Sequence, residues 1–389
     1  MDKSDVKRDE VKDFNNLTSV VESLPASQYY DPDHFETELN SIWYRNWIYA
    51  GRSAEIAEAG DFKSIRIGSQ NILLVRDNNG INGFYNTCRH RGSILCTEDK
   101  GNLKTQHISC PYHRWTYNLE GALVRTPLLD ETPDFDRSKY SLHKVAVHEW
   151  CGCLFVNLLA DEASPIYPTM DPSYEHLDHW QIQDLKLAHT YTNRLHCNWK
   201  LFWENFVECY HCPGIHPELC DMVPIYKRTF VSHRDASDWQ EHRDEKDPKY
   251  RGGLRTDAKS WTMDGEVQGE VLTGLTEEEI SEGYVYIQNL PSVFVVGHPE
   301  YVRIVSILPD GPEHTLLKSE WLLSDASLSK PGFDLSKIVD FGMLVLDQDA
   351  SVCEINQQGI RSIAFENGVL MPQEYEIARF HDWVKGHWQ

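Results

Sequence analysis

Two pairs of metal-binding side chains, Cys88 with His90 and Cys110 with His113, limit what this 389-residue chain can fold into more than any other feature. They read C-x-H and C-x-x-H, each at a tight bend after a strand-like stretch. Each bend offers one thiolate and one imidazole. Two such loops facing each other supply the ligands of a [2Fe–2S] cluster in which histidines replace two cysteines on one iron. Zinc also accepts two Cys and two His, but finger spacing places both cysteines on one knuckle and both histidines on a helix. Here each knuckle carries one of each, among strands. Cys96 and His107 lie between the pairs, belong to neither knuckle, and are not expected to be ligands.

The surrounding texture agrees with a small β domain. FKSIRIG alternates, ILLVRD follows, and Asn78-Asn79-Gly80 is a turn signal. This pattern continues to VNLLA near residue 160. The expected organisation is an N-terminal arm and helix over 1–44, a cluster domain over 45–160 and a catalytic domain over 161–389. Residues 1 to about 25 read as a flexible arm. Asp31-Pro32 opens a helix with Phe35, Leu39, Ile42, Trp43 and Trp47 on one face. DEASPIYPTMDPSYEH reads as the linker. Beyond it, Asn198 to Tyr210 reads as a helix, 228–262 as a charged surface excursion, 283–325 as antiparallel strands and 334–358 as a long helix. The mixture is α+β.

A second constellation lies in this half: Glu208, His211 and His216, spaced E-x2-H-x4-H. Glu208 and His211 stand three apart and share one helix face, and Pro213-Gly214 breaks the helix so that His216 can fold back toward His211. Two histidines and one carboxylate with open positions form the ligand set of oxygen-activating non-haem Fe(II). Glu208 is the local candidate for the carboxylate and Asp349 the distant one. Asp349 falls in a stripe with Ile338, Gly342, Val345 and Val352, where an unpaired acid would be costly to bury. Asp347 points away from that stripe.

The formal net charge of −23 argues against nucleic acid and anionic membranes and favours a basic protein partner. The first residues hold no apolar signal core and no run is long enough to span a bilayer, so a cytoplasmic protein is expected. For the ten cysteines, metal ligation or free thiols are expected ahead of disulfides. Cys209, Cys212 and Cys353 read as small buried side chains. The chain has no G-x-G-x-x-G fingerprint, so a reductant must come from outside.

CRHRGS and CPYHRWTYNLEGAL resemble the cluster motif of the Rieske ring-hydroxylating and N-demethylating oxygenases, with a slightly long gap of 19 residues between His90 and Cys110. NWKLFWENFVECYHCPGIHP and DQDASVCE resemble that family's iron motif and distal aspartate segment. The resemblance covers the chain from about residue 30 onward. It implies cluster ligands Cys88, His90, Cys110 and His113, and iron ligands His211, His216 and Asp349. It implies that Glu208 bridges His211 to a cluster histidine, His113, of the next subunit, and that Asn205 stands near the iron. It further implies a helix-grip catalytic domain, an antiparallel sheet around a long helix, in a head-to-tail homotrimer. O2 is the implied co-substrate, with electrons from NAD(P)H through a separate flavin or iron–sulfur reductase. Most relatives have Asp where Glu208 stands. The Glu is similar to the branch that demethylates or cleaves glycine betaine, stachydrine and carnitine, which makes hydroxylation of an N-methyl or adjacent C–H of a quaternary ammonium or tertiary amine, giving N-demethylation or C–N cleavage, the expected reaction. Hydroxylation or dihydroxylation of an aromatic or other non-amine substrate is the alternative.

Overall fold

A computed structural model describes residues 15–167 and 174–388. The first 14 residues of the expected arm and the middle of the expected linker, 168–173, lie outside the described residues. The arm is not free along its remaining length. Val21–Pro25 pairs antiparallel with Asn367–Leu370, which ties this segment to the C-terminal part of the catalytic half, and Leu24 is fully buried.

Asp31 starts the first helix as expected. Its side chain accepts the amides of Asp33 and His34, and Pro32 occupies the first turn, where no partner for its nitrogen is needed. The α-helix runs only over Pro32–Glu38, then widens into a π-turn at Leu39–Trp43. That widening shifts the register, so Trp47 leaves the expected stripe and lies just before the strand Ile48–Arg52.

That strand opens a seven-stranded sheet. Its order is Ile48–Arg52, Cys153–Asn157, Lys144–Trp150, Ile81–Tyr85, Gln70–Arg76, Asp61–Ile67 and Lys100–Asn102. The run Ile72 to Val75 is buried on both faces. Asp77 turns the chain at Asn78-Asn79-Gly80 by accepting the amides of Asn79 and Gly80. The first Cys–His knuckle leaves the strand Ile81–Tyr85. The second joins His107–Ser109 to Thr116–Asn118 in a separate three-stranded sheet completed by Leu123–Arg125.

The second half centres on a five-stranded antiparallel sheet in the order Lys186–Leu195, Thr315–Leu323, Tyr301–Pro309, Val293–Gly297 and Val285–Asn289. Four of these strands fall in the expected 283–325 region. Lys186–Leu195 was not expected, because it is polar and half exposed along most of its length and shows no apolar alternation. The long helix spans Ser336–Ile360. It buries Ile338, Gly342, Val345, Leu346, Ala350 and Cys353, while Asp347 is exposed. Trp199, Trp203 and Trp321 fill the space among helices and sheet with no exposure. Burying one such indole contributes about 4–6 kcal/mol before entropic costs, and the Trp203 Nε1 donates to the carbonyl of Pro291 at 2.7 Å. The segment 228–262 corrects the expected surface excursion. Asp235, Ala236, Leu254, Ser260, Trp261 and Thr262 are buried within it.

Candidate metal centres

The two Cys–His knuckles are the same turn built twice. The Cys88 amide donates to the carbonyl of Ser93, and the Cys110 amide to that of Trp115, each five residues on at 2.8 Å. The amide four residues on donates back to each cysteine carbonyl, Gly92 to Cys88 at 3.0 Å and Arg114 to Cys110 at 3.1 Å. That fourth residue is left-handed in both, with φ of 77° at Gly92 and 60° at Arg114. Glycine meets this demand without strain, whereas Arg114 adopts it at a cost.

The turns sort the candidate ligands by depth. Cys88 and Cys110 are 2% exposed, while His90 and Tyr112 stand at the surface. The His90 and His113 rings are 4.8 Å apart, and His90 stacks on Trp115 at the same distance. Tyr117 approaches the Cys88 sulfur with its hydroxyl at 3.3 Å. Sulfur donors lie inside and nitrogen donors outside. This two-ended arrangement fits a cluster with unlike irons, one held by thiolates and the other by imidazoles. His107 is exposed and bonds within its own loop, and Cys96 is buried in the neighbouring core.

The second site departs from the expected helix. The helix is Trp199–Phe206, capped by the Asn198 side chain, and its last amide bond runs from Val207 to Trp203. Glu208 and His211 therefore share no helix face. A continuing helix would bond the amides of Tyr210 and His211 to the carbonyls of Phe206 and Val207. The Glu208 carboxylate takes both amides instead, ending the helix with a side chain. The turn also brings Cys209 and Cys212 together as a disulfide, with Cα atoms 4.9 Å apart. This corrects the expectation of free thiols for this pair. Cys353 is a buried free thiol, as expected. A short helix, Cys212–Ile215, carries the chain to His216.

His211, His216 and Asp349 converge. One donor atom from each lies within 4.8 Å of the others. His216 Nε2 is 2.8 Å from Asp349 Oδ1, and His211 Nε2 is 3.4 Å from the same oxygen and 3.2 Å from His216 Nε2. Both Nδ1 atoms are engaged elsewhere. That of His211 donates to Glu208 Oε1 at 2.5 Å, and that of His216 to Gln348 Oε1 at 2.8 Å. Gln348 in turn donates to Glu218, which fixes the direction of its amide. With Nδ1 protonated, each ring directs the lone pair of Nε2 into the gap, the tautomer that binds a metal. Asn205 Nδ2 reaches His211 Nε2 at 3.3 Å.

The electrostatics call for a cation in that gap. Burial lowers the pKa of His211, but Asp349 and Glu208 outweigh it and push it up to about 9. Burial raises that of Asp349, but the two imidazoles hold it below the usual carboxylate range. A divalent ion satisfies the same demand with three ligands and open positions, so the donor set fits Fe(II). Glu208 lies beyond the triad, behind His211. Gln348 was not anticipated from the sequence, because a polar neighbour of an acid on a helix carries no signal of its own.

The triad borders a cavity of about 110 Å³ lined by Phe202, Phe206, Tyr226, Trp261, Phe294 and Arg303, among others. Phe206 and Phe294 stack with centroids 3.8 Å apart.

Comparisons with known proteins agree with this two-site layout. Residues 46–136 match the Rieske [2Fe-2S] domain, and residues 182–389 match the ring hydroxylating alpha subunit, catalytic domain. The glycine betaine monooxygenase oxygenase subunit of Chromohalobacter salexigens is 31% identical, across 97% of this chain and 88% of its own. The carnitine monooxygenase oxygenase subunit of Acinetobacter pittii is also 31% identical, with 97% of both chains covered. The quaternary ammonium Rieske monooxygenase CntA, solved with L-carnitine, superimposes with a TM-score of 0.71 over 95% of this chain and 97% of its own, at 22% identity. The chain belongs to the Rieske non-haem iron oxygenases and is an oxidoreductase alpha subunit with a [2Fe–2S] cluster domain and a mononuclear-iron catalytic domain.

Proposed function

We propose that this oxygenase hydroxylates an N-methyl group of a small quaternary ammonium or tertiary amine. Supporting the reading are a histidine–histidine–aspartate triad beside an aromatic-walled cavity and relatives named for glycine betaine and carnitine along nearly the whole chain. In this reading Cys88, His90, Cys110 and His113 hold the cluster, and His211, His216 and Asp349 hold the iron. The cluster domain spans 45–160 and the catalytic domain 161–389. When bound, the two metal centres supply electrons one at a time and activate O2.

The protein's own groups do the rest. Aromatic faces in the cavity receive the ammonium by cation–π attraction. Glu208 holds His211 in the metal-binding tautomer and, in the homotrimer of this reading, bridges it to His113 of the next subunit. Asn205 stands beside the metal-facing nitrogen of His211. In the overall conversion the N-methyl ammonium, O2, two electrons and two protons give the N-hydroxymethyl ammonium and water. The carbinol then releases formaldehyde and a proton, leaving the amine with one methyl group fewer. The electrons come from NAD(P)H through a separate flavin or iron–sulfur reductase in the cytoplasm. Among the described residues no helix is long and apolar enough to cross a membrane.

The experiment is turnover of methylated amines by the holoenzyme with a compatible reductase, with formaldehyde measured against O2 consumed. Matched formaldehyde and demethylated amine are expected. Coupled hydroxylation of arenes without formaldehyde would overturn the reading.

A further inference from the structure

Arg303 is a cavity-lining cation that the chemistry above leaves without a task. It lies on the strand Tyr301–Pro309, opposite Val296, and both border the cavity beside Asp349. It is 7% exposed. Its side chain makes no hydrogen bond or ion pair to any described residue, and its Nε is buried without a partner. Gly342 on the long helix makes room for it. A Cβ there would lie 2.9 Å from Arg303 Nη1, so the guanidinium lies close against the helix backbone.

A buried guanidinium without a counter-charge is a costly arrangement. Asp349 is the carboxylate that acts on it electrostatically, from beyond ion-pair distance. In the holoenzyme that carboxylate also serves a divalent ion. The ion is balanced by Asp349 and by Glu208 on the same cavity wall, so Arg303 leaves one positive charge uncompensated. A lone cationic substrate would meet repulsion from that guanidinium, and the aromatic faces would have to overcome it. A substrate carrying its own anion would pair with it. A guanidinium pairs best with a planar oxyanion that accepts two parallel hydrogen bonds.

We propose that Arg303 anchors a carboxylate on the substrate, so that the site selects zwitterionic quaternary amines over simple cationic ones. The inference rests on the methylated-amine reading above and assigns its specificity. The carboxylate end of the substrate lies under the long helix at Gly342. The ammonium end lies against the aromatic wall of Phe202, Phe206, Trp261 and Phe294.

The test compares glycine betaine and carnitine with choline, which carries the same trimethylammonium but no carboxylate. The iron- and cluster-loaded enzyme is used, and both turnover and ligand-induced thermal stabilisation are read. The wild type is expected to bind and turn over a carboxylated compound in preference to choline. Arg303→Gln is expected to raise KM for that compound by at least about 30-fold, with a smaller change in kcat, unchanged iron content and no loss toward choline. Arg303→Lys keeps the charge but loses the fork, and its preference is expected between the two. It also supplies the answer if Arg303→Gln does not fold. Equal binding of choline and its carboxylated counterparts by the wild type overturns the proposal, as does an unchanged preference in the variants. If the wild type turns over no methylated amine at all, the underlying reading fails. If amines are turned over with no dependence on Arg303, only the anchor fails.

Discussion

His216 Nε2 and Asp349 Oδ1 meet at 2.8 Å across 133 residues of sequence. This contact joins the turn after Trp199–Phe206 to the middle of the long helix, and it makes three separate donors into one site. Asp349→Ala removes the only carboxylate of the triad. The variant is expected to lose its mononuclear iron and its turnover while keeping the visible absorption of the cluster. Iron and acid-labile sulfide counts on the purified protein check this. Retention of the third iron would count against the ligand assignment.

Glu208 acts on His211 from behind, through Nδ1. Glu208→Gln keeps the shape but replaces a charge-assisted bond with a neutral one. Iron affinity is expected to fall about 10- to 100-fold, the usual effect of disturbing a ligand's outer partner. A competitive chelator titration measures it. Glu208→Asp shortens the reach to His211 and is expected to fall between.

Tyr117 receives the amide of Arg89 at 3.1 Å and approaches Cys88 Sγ at 3.3 Å. With its oxygen accepting from Arg89, its proton is free to be donated to the sulfur. Such a bond favours the reduced, more negative cluster. Tyr117→Phe is expected to lower the cluster potential by about 40 mV, the equivalent of about 1 kcal/mol for one electron. A redox titration of the holoenzyme followed by its visible spectrum checks the sign and the size.

Glu38 and Lys200 form a fully buried ion pair at 2.6 Å, tying the N-terminal helix to the helix that leads into the iron site. Trp199 Nε1 donates to the second Glu38 oxygen. Burial raises the Glu38 pKa, but Lys200 and His34 outweigh it and hold it below the usual range. Its stabilising contribution is therefore complete above the unfolded value of a glutamate and is lost as pH falls through the lower folded value. Lys200→Met removes the buried cation beside Glu38 and is expected to cost about 3–5 kcal/mol at neutral pH. The deficit should shrink on acidification, as Glu38 takes up a proton. Denaturant unfolding at pH 7 and pH 5 measures the difference.

The pairing of candidate donors was legible because it is local. Cys88 with His90, Cys110 with His113 and His211 with His216 each lie within six residues, so spacing alone shows that they can meet. Chain punctuation was legible for the same reason: Asp31 caps a helix and Asp77 closes a turn through amides two or three residues away. Composition and the helical stripe around Asp349 put an acid in an apolar setting but did not say what it faces.

Other features depended on contacts between distant segments. The helix expected to reach Tyr210 stops at Phe206 because one carboxylate competes for its amides, a contest that periodicity does not register. The strand Lys186–Leu195 forms because Thr315–Leu323 offers it a free edge, although its own pattern is polar. Trp261 enters the cavity from a segment whose charge reads as surface. Arg303 sits in the ordinary alternation of YVRIVSILP, and only the packing of the long helix at Gly342 turns its position into an enclosed one. Spacing along the chain determined which candidate donors can meet, because those groups are covalently near each other. Tertiary packing decided which carboxylate joins them and which cation is left without a partner, because burial and charge pairing belong to surfaces that meet only after folding.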